Sequence, residues 1–549
     1  MGIGARALNM DLGNGFVRDA AADGIAIGHV VAVAGGADVL LDRPLLESFL
    51  DHPDPVLAMA GQIGAMVKMP FHGRWIVGAL QKLALIGDKI SAHVDFLGEG
   101  VAAADGAMAE FRRGVTRFPL PGLAVYPVST TDMATIFSAG GAVHIEVGTV
   151  YPTTDTRAAL HVDAMLGKHF ALLGSTGTGK STAVALILHR ICKLAPAGHI
   201  VMIDPHGEYD AAFREVGASF DVSNLAMPYW LMNFEEHCEV LLTTSGAERQ
   251  QDADILAKCL LAARQKNRAA ETMPRVTVDS PIPYVLSELT NILQTEMGKL
   301  DKASNSAPFL RLKGKIDELR ADPRYHFMFS GLLVGDSMKA FIKRIFRLPG
   351  EGKPISVIDV SGVPSEITSV VVAVLARCVF DYAIWARGSA EHPVLLVCEE
   401  AHRYVPSDRS TNNGAVRQIL ERIAKEGRKY GVSLGLITQR PSDLAEGVLS
   451  QCGTIIAMRL NNERDQAFVR AAMPEGSRGF LDSIPALRNR EAIICGEGVS
   501  IPIRVAFDDL EAALRPASND PVFSALWART GGEDELVEQV IGRWRNQGR

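Results

Sequence analysis

The sequence predicts an α/β protein with a mostly parallel sheet, an N-terminal small β-barrel and a helical insertion. From about residue 162, apolar strands alternate with longer helical segments. Most of these strands are near-continuous apolar runs, as expected where both faces of a strand are buried. Residues 24 to about 150 instead carry short branched runs separated by Gly, Pro and Asp, which is typical of a small barrel. The 549 residues suffice for two or three folded units.

Composition and charge narrow the classes of function. Hydrophobic residues make up 47% of the chain and charged residues 22%, as in ordinary globular proteins. A net charge of -7 excludes a protein that coats nucleic acid with its whole surface, so any such contact would be a local basic patch or lining. The 7 cysteines are scattered without a CxxC pair, which disfavours zinc and disulfide frameworks and predicts buried, reduced thiols.

The apolar segments predict a cytoplasmic protein that does not enter a membrane. Residues 1–23 lack the apolar core of a signal peptide and are predicted to be flexible. The most apolar stretch, Ile367 to Trp385, contains Arg377 and Asp381. A membrane span needs about 20 apolar residues with few charges, so we predict a buried helix of a large α/β domain.

The first folded unit is predicted at residues 24–155. Its strand-like runs are IAIGHVVAVAG, ADVLLD, IGAMVKMP, WIVGAL and AVHIEVG. No catalytic constellation accompanies them, so the predicted barrel is interpreted as a platform for assembly.

The second unit is predicted at residues 156–507. Its expected strands are His169–Gly174, His199–Asp204, Ile355–Val360, Val394–Glu399, Ser433–Gln439 and Thr454–Leu460. A polar, helical insertion is expected at about 233–350. Its basic clusters, Arg264, Lys266 and Arg268, and Arg311, Lys313 and Lys315, are typical of solvated helix faces, with DNA contact as the alternative.

A helical tail is predicted at residues 508–549. One face of its last helix would carry Leu536, Val537, Val540, Ile541 and Trp544. Such a stripe packs either on the protein's own body or on a neighbouring subunit.

The most specific motif is GSTGTGKST, residues 174–182, which fits G-x-x-x-x-G-K-[ST] between an apolar strand and a helical segment. Glycines let backbone N–H groups surround phosphates, and the following helix offers its positive N-terminus. Lys180 would reach the β- and γ-phosphates, and the hydroxyl of Ser181 would bind Mg²⁺. The predicted nucleotide-binding residues here are Gly174, Thr176, Gly177, Thr178, Gly179, Lys180, Ser181 and Thr182.

A second motif is the apolar strand VLLVC followed by Glu399 and Glu400. One acid at such a strand end holds Mg²⁺, and the other can act as general base toward water. We assign Glu399 to the metal and Glu400 to catalysis. Because a glutamate replaces the more usual aspartate at the metal position, the division of roles between the two acids stays open.

Two other strand ends carry polar candidates. Gln439 could sense the γ-phosphate or orient water, or it could simply begin a loop. Asp204 could support nucleotide, metal or water, or it could be part of an Asp-Pro turn. His402, beside the acid pair, is expected to be a hydrogen-bonded structural residue.

Arg428 closes a helix just before the strand that leads to Gln439. A rigid planar cation there could reach a neighbouring subunit's γ-phosphate as an arginine finger. The alternative is a cation that offsets the helix C-terminal dipole.

In this order, GSTGTGKST, IDPHGEYD, VCEEAHRYVP, EGRKYG and ITQRP resemble the HerA branch of the HerA/FtsK ATPases. GHVVAVAG, QIGAMVKMP, DFLGEGV and RGVTRFPLPG are similar to that family's N-terminal barrel. The resemblance implies a RecA/FtsK-like P-loop ATPase that uses ATP and Mg²⁺. It also implies a homohexamer around double-stranded DNA, with Lys180 and Ser181 at the nucleotide, Glu400 in hydrolysis, Gln439 in sensing and Arg428 acting in trans.

The resemblance further implies a partner at the barrel, either a NurA-like nuclease or a sirtuin-like or other effector in antiphage defence. Our leading hypothesis is therefore an ATP-driven double-stranded DNA translocase. A ring scaffold that activates a partner enzyme is the alternative. A secretion or conjugation ATPase is less favoured, because the sequence shows no membrane segment and no secretion-specific domain.

Overall fold

A computed structural model describes residues 24–104, 106–299, 306–330, 335–388, 392–408, 414–473, 478–517, 522–528 and 533–545. Residues 1–23, which were predicted to be flexible, lie outside this part of the chain. The described residues form two sheets, one of seven strands and one of eleven.

The smaller sheet forms the predicted N-terminal barrel. Its strands are β1 Gly28–Val33, β2 Ala37–Asp42, β3 Met66–Phe71, β4 Arg74–Ile86, β5 Lys89–Ala102, β6 Met108–Arg113 and β7 Ala124–Pro127, accompanied by helices α1 Arg43–Ser48, α2 Pro55–Ala58 and α3 Thr130–Ile136. The order is β2-β1-β7-β3-β4-β5-β6, and β2 also pairs with β5, which closes six strands into a ring. Alternating residues such as Val39, Val67 and Val94 fill the interior.

The larger sheet confirms the predicted α/β class. Its strands are β8 His144–Val150, β9 Arg157–His161, β10 Phe170–Leu173, β11 Ile200–Asp204, β12 Gly217–Phe220, β13 Ile355–Asp359, β14 Val394–Cys398, β15 Val432–Thr438, β16 Thr454–Met458, β17 Glu491–Gly496 and β18 Ile503–Phe507. The order is β12-β13-β11-β14-β15-β10-β16-β17-β18-β8-β9. The pairings from β12 to β16 are parallel, and those from β16 to β9 are antiparallel.

All six strands predicted for the second unit are present in this sheet. One difference concerns the strand His144–Val150, which the predicted boundary at residue 155 places in the barrel. It pairs with β18 and β9 of the larger sheet instead, so the chain passes from the smaller sheet to the larger one before residue 144.

Helices surround the larger sheet and fill the predicted insertion. They are α4 Val162–Gly167, α5 Lys180–Leu194, α6 Asp210–Phe213, α7 Phe234–Leu241, α8 Gly246–Gln265, α9 Arg268–Glu271, α10 Leu286–Met297, α11 Ala307–Ala321, α12 His326–Phe329, α13 Met338–Ile345, α14 Ser365–Ala386, α15 Gly414–Glu426, α16 Glu446–Leu449, α17 Glu463–Ala472, α18 Arg478–Leu481, α19 Phe523–Trp527 and α20 Glu533–Arg545. The seven helices from α7 to α13 lie within the predicted insertion.

Helix α14 contains the apolar stretch that was predicted to be a buried helix. It is long and apolar enough to cross a membrane, yet two thirds of its most apolar stretch is buried inside the protein. Arg377, one of the two charges that interrupt the stretch, forms a buried ion pair with Glu236 of α7 at 2.8 Å. The stretch is therefore a core helix of the α/β unit, as expected.

Two arginines of the predicted basic clusters are used within the protein. Arg264 is fully buried and donates to the carbonyls of Ser280, Trp230 and Met232. Arg311 pairs with Asp252 of α8 at 2.7 Å. The description of Arg264 as part of a solvated or DNA-binding face is therefore wrong, because a buried guanidinium held by carbonyls cannot reach either.

The cysteines and the tail complete the fold. All seven cysteines lie in the described part of the chain, and all are buried and free, as predicted. In the tail, the apolar stripe of α20 is exposed in the single chain, with Leu536 and Trp544 at 59% and 75% of their full accessibility. The side chains of Leu536, Val537 and Val540 are therefore largely accessible to solvent in the described part of the chain.

Candidate nucleotide-binding and hydrolysis site

The phosphate loop connects β10 to α5 at the carboxyl edge of the larger sheet. Gly177 and Gly179 have φ values of 78° and 92°, which a side chain would strain. A Cβ atom at Gly174 would lie 2.9 Å from the Cβ atom of Met458. The glycines of the motif are therefore required by backbone conformation and by close packing. They leave the N-terminal N–H groups of α5 available to an anion.

Lys180 and the acid pair meet within this edge, although the sequence places them far apart. The Nζ atom of Lys180 lies 3.9 Å from Oε1 of Glu399 and 3.6 Å from Oε1 of Glu400. All three side chains are buried. Burial raises the pKa of Glu399 to about 8; Lys180 counteracts this, and the neighbouring acids add to it. A triphosphate would supply negative charge opposite Lys180, and Mg²⁺ would supply positive charge opposite the two carboxylates.

Glu400 has the placement expected of a general base. Its φ of 50° lies in the left-handed region, which is uncommon for a non-glycine residue and clusters at functional sites. The Nδ1 atom of His402 hydrogen-bonds to the Thr438 hydroxyl at 2.9 Å and lies 3.2 Å from Oε2 of Glu400. That carboxylate oxygen accepts no hydrogen bond from the described residues. The oxygen is itself buried, so a water would have to enter the site before it could donate to this carboxylate.

Tyr209, which the sequence analysis did not single out, joins the two predicted metal ligands. Its hydroxyl donates to Oε2 of Glu399 at 3.3 Å and also hydrogen-bonds with the hydroxyl of Ser181. Burial raises its pKa well above the ordinary value, so it stays a neutral donor. A hydroxyl and a carboxylate are oxygen donors that suit Mg²⁺, which binds proteins through few direct ligands and several waters. The residues present thus fit the implied ion.

The hydrogen bonds of Asp204 favour the second of its two predicted roles, that of a turn residue. Its carboxylate is fully buried and accepts from the backbone N–H groups of His206, Gly207 and Tyr209 at 2.9 to 3.0 Å. Because these bonds occupy both oxygens, we reassign Asp204 from contacting nucleotide to shaping the loop that positions Tyr209.

Gln439 and the phosphate loop are in contact. The hydroxyl of Thr176 donates to Oε1 of Gln439, and the N–H of Gly174 donates to the carbonyl of Thr438 at 3.3 Å. The hydroxyl of Thr178 instead donates to the carbonyl of Ser175 at 2.8 Å, so this side chain fixes the shape of the loop. The position of Gln439 next to Thr176 is suited to sensing the terminal phosphate.

Arg428 lies at the other edge of the sheet. It is exposed and lies just before the amino end of β15, whereas Gln439 follows the carboxyl end of that strand. The 7 residues of β15 span roughly 20 Å. Arg428 therefore cannot reach the phosphate loop of its own subunit, and any action on a nucleotide requires a second copy of the chain.

Comparison with known proteins identifies similar chains that are named as helicases. The model of the family described as "Helicase HerA, central domain" matches residues 145–379, which include the phosphate loop and Tyr209. The chain is 28% identical over 458 residues to a DNA double-strand break repair helicase HerA of Pyrococcus furiosus, covering 77% of this chain and 78% of the relative. It is 26% identical over 535 residues to the HerA of Sulfurisphaera tokodaii, covering 94% and 99%.

The resemblance to the HerA family is confirmed. Among solved structures, VirB4 of Thermoanaerobacter pseudethanolicus shares 15% identity and a TM-score of 0.49, covering 69% of this chain and 100% of its own. The plasmid coupling protein TrwB with a non-hydrolysable ATP analogue shares 14% and 0.46, covering 72% and 94%. With its phosphate loop, acid pair and family match, this HerA-like chain is an ATPase of the P-loop class.

Proposed function

We propose that the protein is an ATP-driven motor that moves double-stranded DNA and works as a homohexameric ring. The observation that carries the proposal is the buried cluster in which Lys180 meets Glu399 and Glu400, while Arg428 lies at the far edge of the same sheet. Such an arrangement is complete only when a neighbour supplies its arginine. The HerA relatives, which are named as repair helicases, support a role on DNA.

Within this proposal each residue has a defined role. The backbone of Gly174 to Thr182 surrounds the phosphates, and Lys180 turns from the acid pair toward the terminal phosphates. Mg²⁺, when bound by Ser181 and Glu399, neutralises phosphate oxygens. Glu400 accepts the proton of the attacking water, and Gln439 orients that water. Arg428 of the adjoining subunit would stabilise charge on the transferred group.

Coupling to DNA would be electrostatic and independent of sequence. Because the net charge is -7, we expect contact through a narrow lining of the ring instead of the whole surface. Binding through phosphates weakens steeply with salt. We further propose that the barrel receives an effector, either a NurA-like nuclease or a sirtuin-like or other defence enzyme, in the cytoplasm.

The decisive test compares ATP hydrolysis with and without duplex DNA in assembled protein. We expect duplex DNA to stimulate the wild type, and Glu400→Gln to lower kcat by about 100-fold or more, the contribution of a general base. Glu446→Gln, an exposed acid on α16, serves as the matched control and should behave like the wild type. Robust hydrolysis by a protein that binds no DNA at low salt would contradict the motor.

A nucleotide-dependent scaffold that activates a partner is the second candidate. The exposed apolar stripe of α20 favours it, because such a surface suits assembly. Glu400→Gln separates the two functions when effector activity is measured with ATP present. A scaffold would keep activating its partner with this variant, whereas a motor-driven system would lose that activation.

A further inference from the structure

A cavity opens beside the phosphate loop, with a volume of about 440 Å³. This volume lies within the range of small-ligand pockets, about 300 to 1,000 Å³. The loop and the first turn of α5 supply one wall through Gly177, Gly179 and Thr182. The other wall consists of polar side chains from the C-terminal part of the chain, namely Asn489, Arg490, Asp509 and Arg515.

The cavity is separate from the cluster of Lys180 with the acid pair. Neither Lys180 nor Glu399 nor Glu400 lines the cavity, and the ammonium group of Lys180 lies beside the two acids. A triphosphate whose terminal phosphate faces the acids would therefore direct its other end toward Thr182. The group attached to that end of the triphosphate is the nucleoside.

Arg490 is fixed against the loop by its backbone. Its N–H donates to the carbonyl of Thr178 at 2.9 Å, and its φ of 66° lies in the left-handed region. A Cβ atom at Gly179 would lie only 3.1 Å from Cγ of Arg490. The arginine and the loop are thus packed together, so the arginine's position depends on the loop that would bind phosphate.

One carboxylate holds the two arginines of this wall. Oδ1 of Asp509 accepts from Arg490 at 2.6 Å and from Arg515 at 2.8 Å. Nε of Arg515 donates to the carbonyl of Leu510 at 2.6 Å. The side chains of Arg490 and Arg515 keep 47% and 45% of their exposure, so both guanidinium planes remain accessible from the cavity.

The segment that carries Asp509 and Arg515, residues 508–517, is itself anchored at both ends; we name it the C-terminal strap. Asp508 pairs with Arg157 of β9 at 2.5 Å and with Arg190 of α5 at 3.3 Å. At the other end, the N–H of Ala517 donates to the carbonyl of Glu208 at 2.8 Å. The strap therefore lies across the phosphate-loop helix and reaches the loop that carries Tyr209.

We propose that Arg490 and Arg515 bind the nucleoside end of the nucleotide. The flat guanidinium groups would stack on the base, and Asp509 and Asn489 would offer hydrogen-bonding groups to base and ribose. This inference rests on the proposed ATPase site and adds to it the residues that recognise the nucleoside. It predicts that the strap contributes to affinity for ATP and not to affinity for phosphate chains alone.

The test measures binding of two probes, a non-hydrolysable ATP analogue and inorganic tripolyphosphate, to the full-length protein with Mg²⁺ by calorimetry. We expect Arg515→Ala to weaken binding of the ATP analogue about tenfold, which corresponds to the loss of one good stacking contact. Binding of tripolyphosphate should be unchanged. Arg490→Ala should act in the same direction. Arg488→Ala is the matched control, because Arg488 is exposed in the same loop and does not line the cavity.

If Arg515→Ala weakened binding of both probes equally, the arginine would contact phosphate and not the nucleoside, and the inference would be overturned. Unchanged binding of the analogue in both arginine variants would overturn it as well. If the wild type binds neither probe, the proposed nucleotide site itself fails, and this outcome is distinguishable from the other two.

Discussion

At the residue scale, the main feature of the site is that two buried acids lie close to one lysine. Glu399 and Glu400 lie within 3.9 Å of Lys180, and the pKa of Glu399 is raised to about 8 by burial against the attraction of that lysine. A divalent cation would favour the charged carboxylate and release Lys180 to the phosphates. The contacts of the two acids differ: Glu399 is joined to Ser181 through Tyr209, whereas Oε2 of Glu400 lies 3.2 Å from Nδ1 of His402 and accepts no hydrogen bond from the described groups. These contacts support the proposed division of roles between the two acids.

The contact through Tyr209 leads to a prediction on metal use. Tyr209→Phe removes the hydroxyl that hydrogen-bonds to both predicted ligands, so their orientation is less well fixed. We expect the Mg²⁺ concentration for half-maximal ATP hydrolysis to rise about tenfold. Loss of a residue that hydrogen-bonds to metal ligands typically weakens metal binding by at least this factor. Titration of Mg²⁺ at saturating ATP measures this shift.

Tyr404→Phe is the control for that prediction. Tyr404 is also a buried tyrosine near the site, but its hydroxyl has no hydrogen-bond partner among the described residues. Its removal should leave the Mg²⁺ titration unchanged. An identical titration curve for the Tyr209 variant and the wild type would show that the hydroxyl does not position the ligands.

Sequence reasoning found the residues that lie within contiguous motifs. Lys180, Ser181 and the acid pair could be predicted because their chemistry is encoded in a strand followed at once by a loop. Arg490 and Arg515 could not be predicted from the sequence. Only the folded chain brings Arg490 against the phosphate loop and the C-terminal strap, with Arg515, across α5. The sequence could not decide between the two roles left open for Asp204, because it does not show that backbone N–H groups bond to its carboxylate.

At the element scale, the parallel order of strands explains why distant motifs meet. β10, β14 and β15 are neighbours in a parallel sheet, so the loops after their carboxyl ends share one edge. These buried apolar strands were predictable from their composition. The sheet to which β8 belongs was not, because a short alternating strand carries no signal that separates a barrel strand from an edge strand of another sheet.

The helical insertion is fixed to the core by a buried ion pair, which gives an element-scale prediction. Arg377 of α14 donates to both carboxylate oxygens of Glu236 of α7, at 2.8 and 2.9 Å. Glu236→Gln would remove the buried counter-charge of Arg377 and leave it only the more exposed Asp381, whose Oδ2 lies 3.1 Å away, at a cost of about 3 kcal/mol. We expect a clearly lower midpoint in thermal unfolding, measured by calorimetry.

Two further variants define the cause of that loss. Arg43→Ala breaks an exposed i,i+4 pair with Glu47 on α1 and should leave the midpoint nearly unchanged. The double change Glu236→Leu with Arg377→Met removes both charges and should recover much of the stability. A Glu236→Gln protein as stable as the wild type would show that the pair does not hold the insertion.

At the scale of the whole molecule, one sheet separates the phosphate loop from Arg428, the proposed arginine finger. The phosphate loop and Glu400 lie at the carboxyl edge, and Arg428 lies at the amino edge beyond β15. A ring in which the amino edge of each subunit faces the carboxyl edge of the next would complete every site with a neighbour's arginine. Hydrolysis would then depend on assembly, and turnover in one subunit could be transmitted to the next.

This arrangement predicts complementation between two inactive proteins. Arg428→Ala keeps an intact phosphate loop and Glu400 but offers no arginine, whereas Glu400→Gln has the opposite defect. When the two are mixed under conditions that allow subunit exchange, some interfaces combine an intact pocket with an intact arginine. We expect ATP hydrolysis in the mixture to exceed the sum of the separate activities several-fold, because an arginine finger contributes about 10³-fold to kcat.

Lys429→Ala provides the control, because it removes an exposed charge next to Arg428 without touching the proposed finger, and it should remain active alone. Exchange itself is followed by mixing subunits that carry different fluorophores. If exchange is complete and the activity of the mixture is only the sum of its parts, then Arg428 does not act across the subunit boundary. In that case its position beside the C-terminus of α15 would reflect stabilisation of the helix dipole, the alternative that the sequence left open.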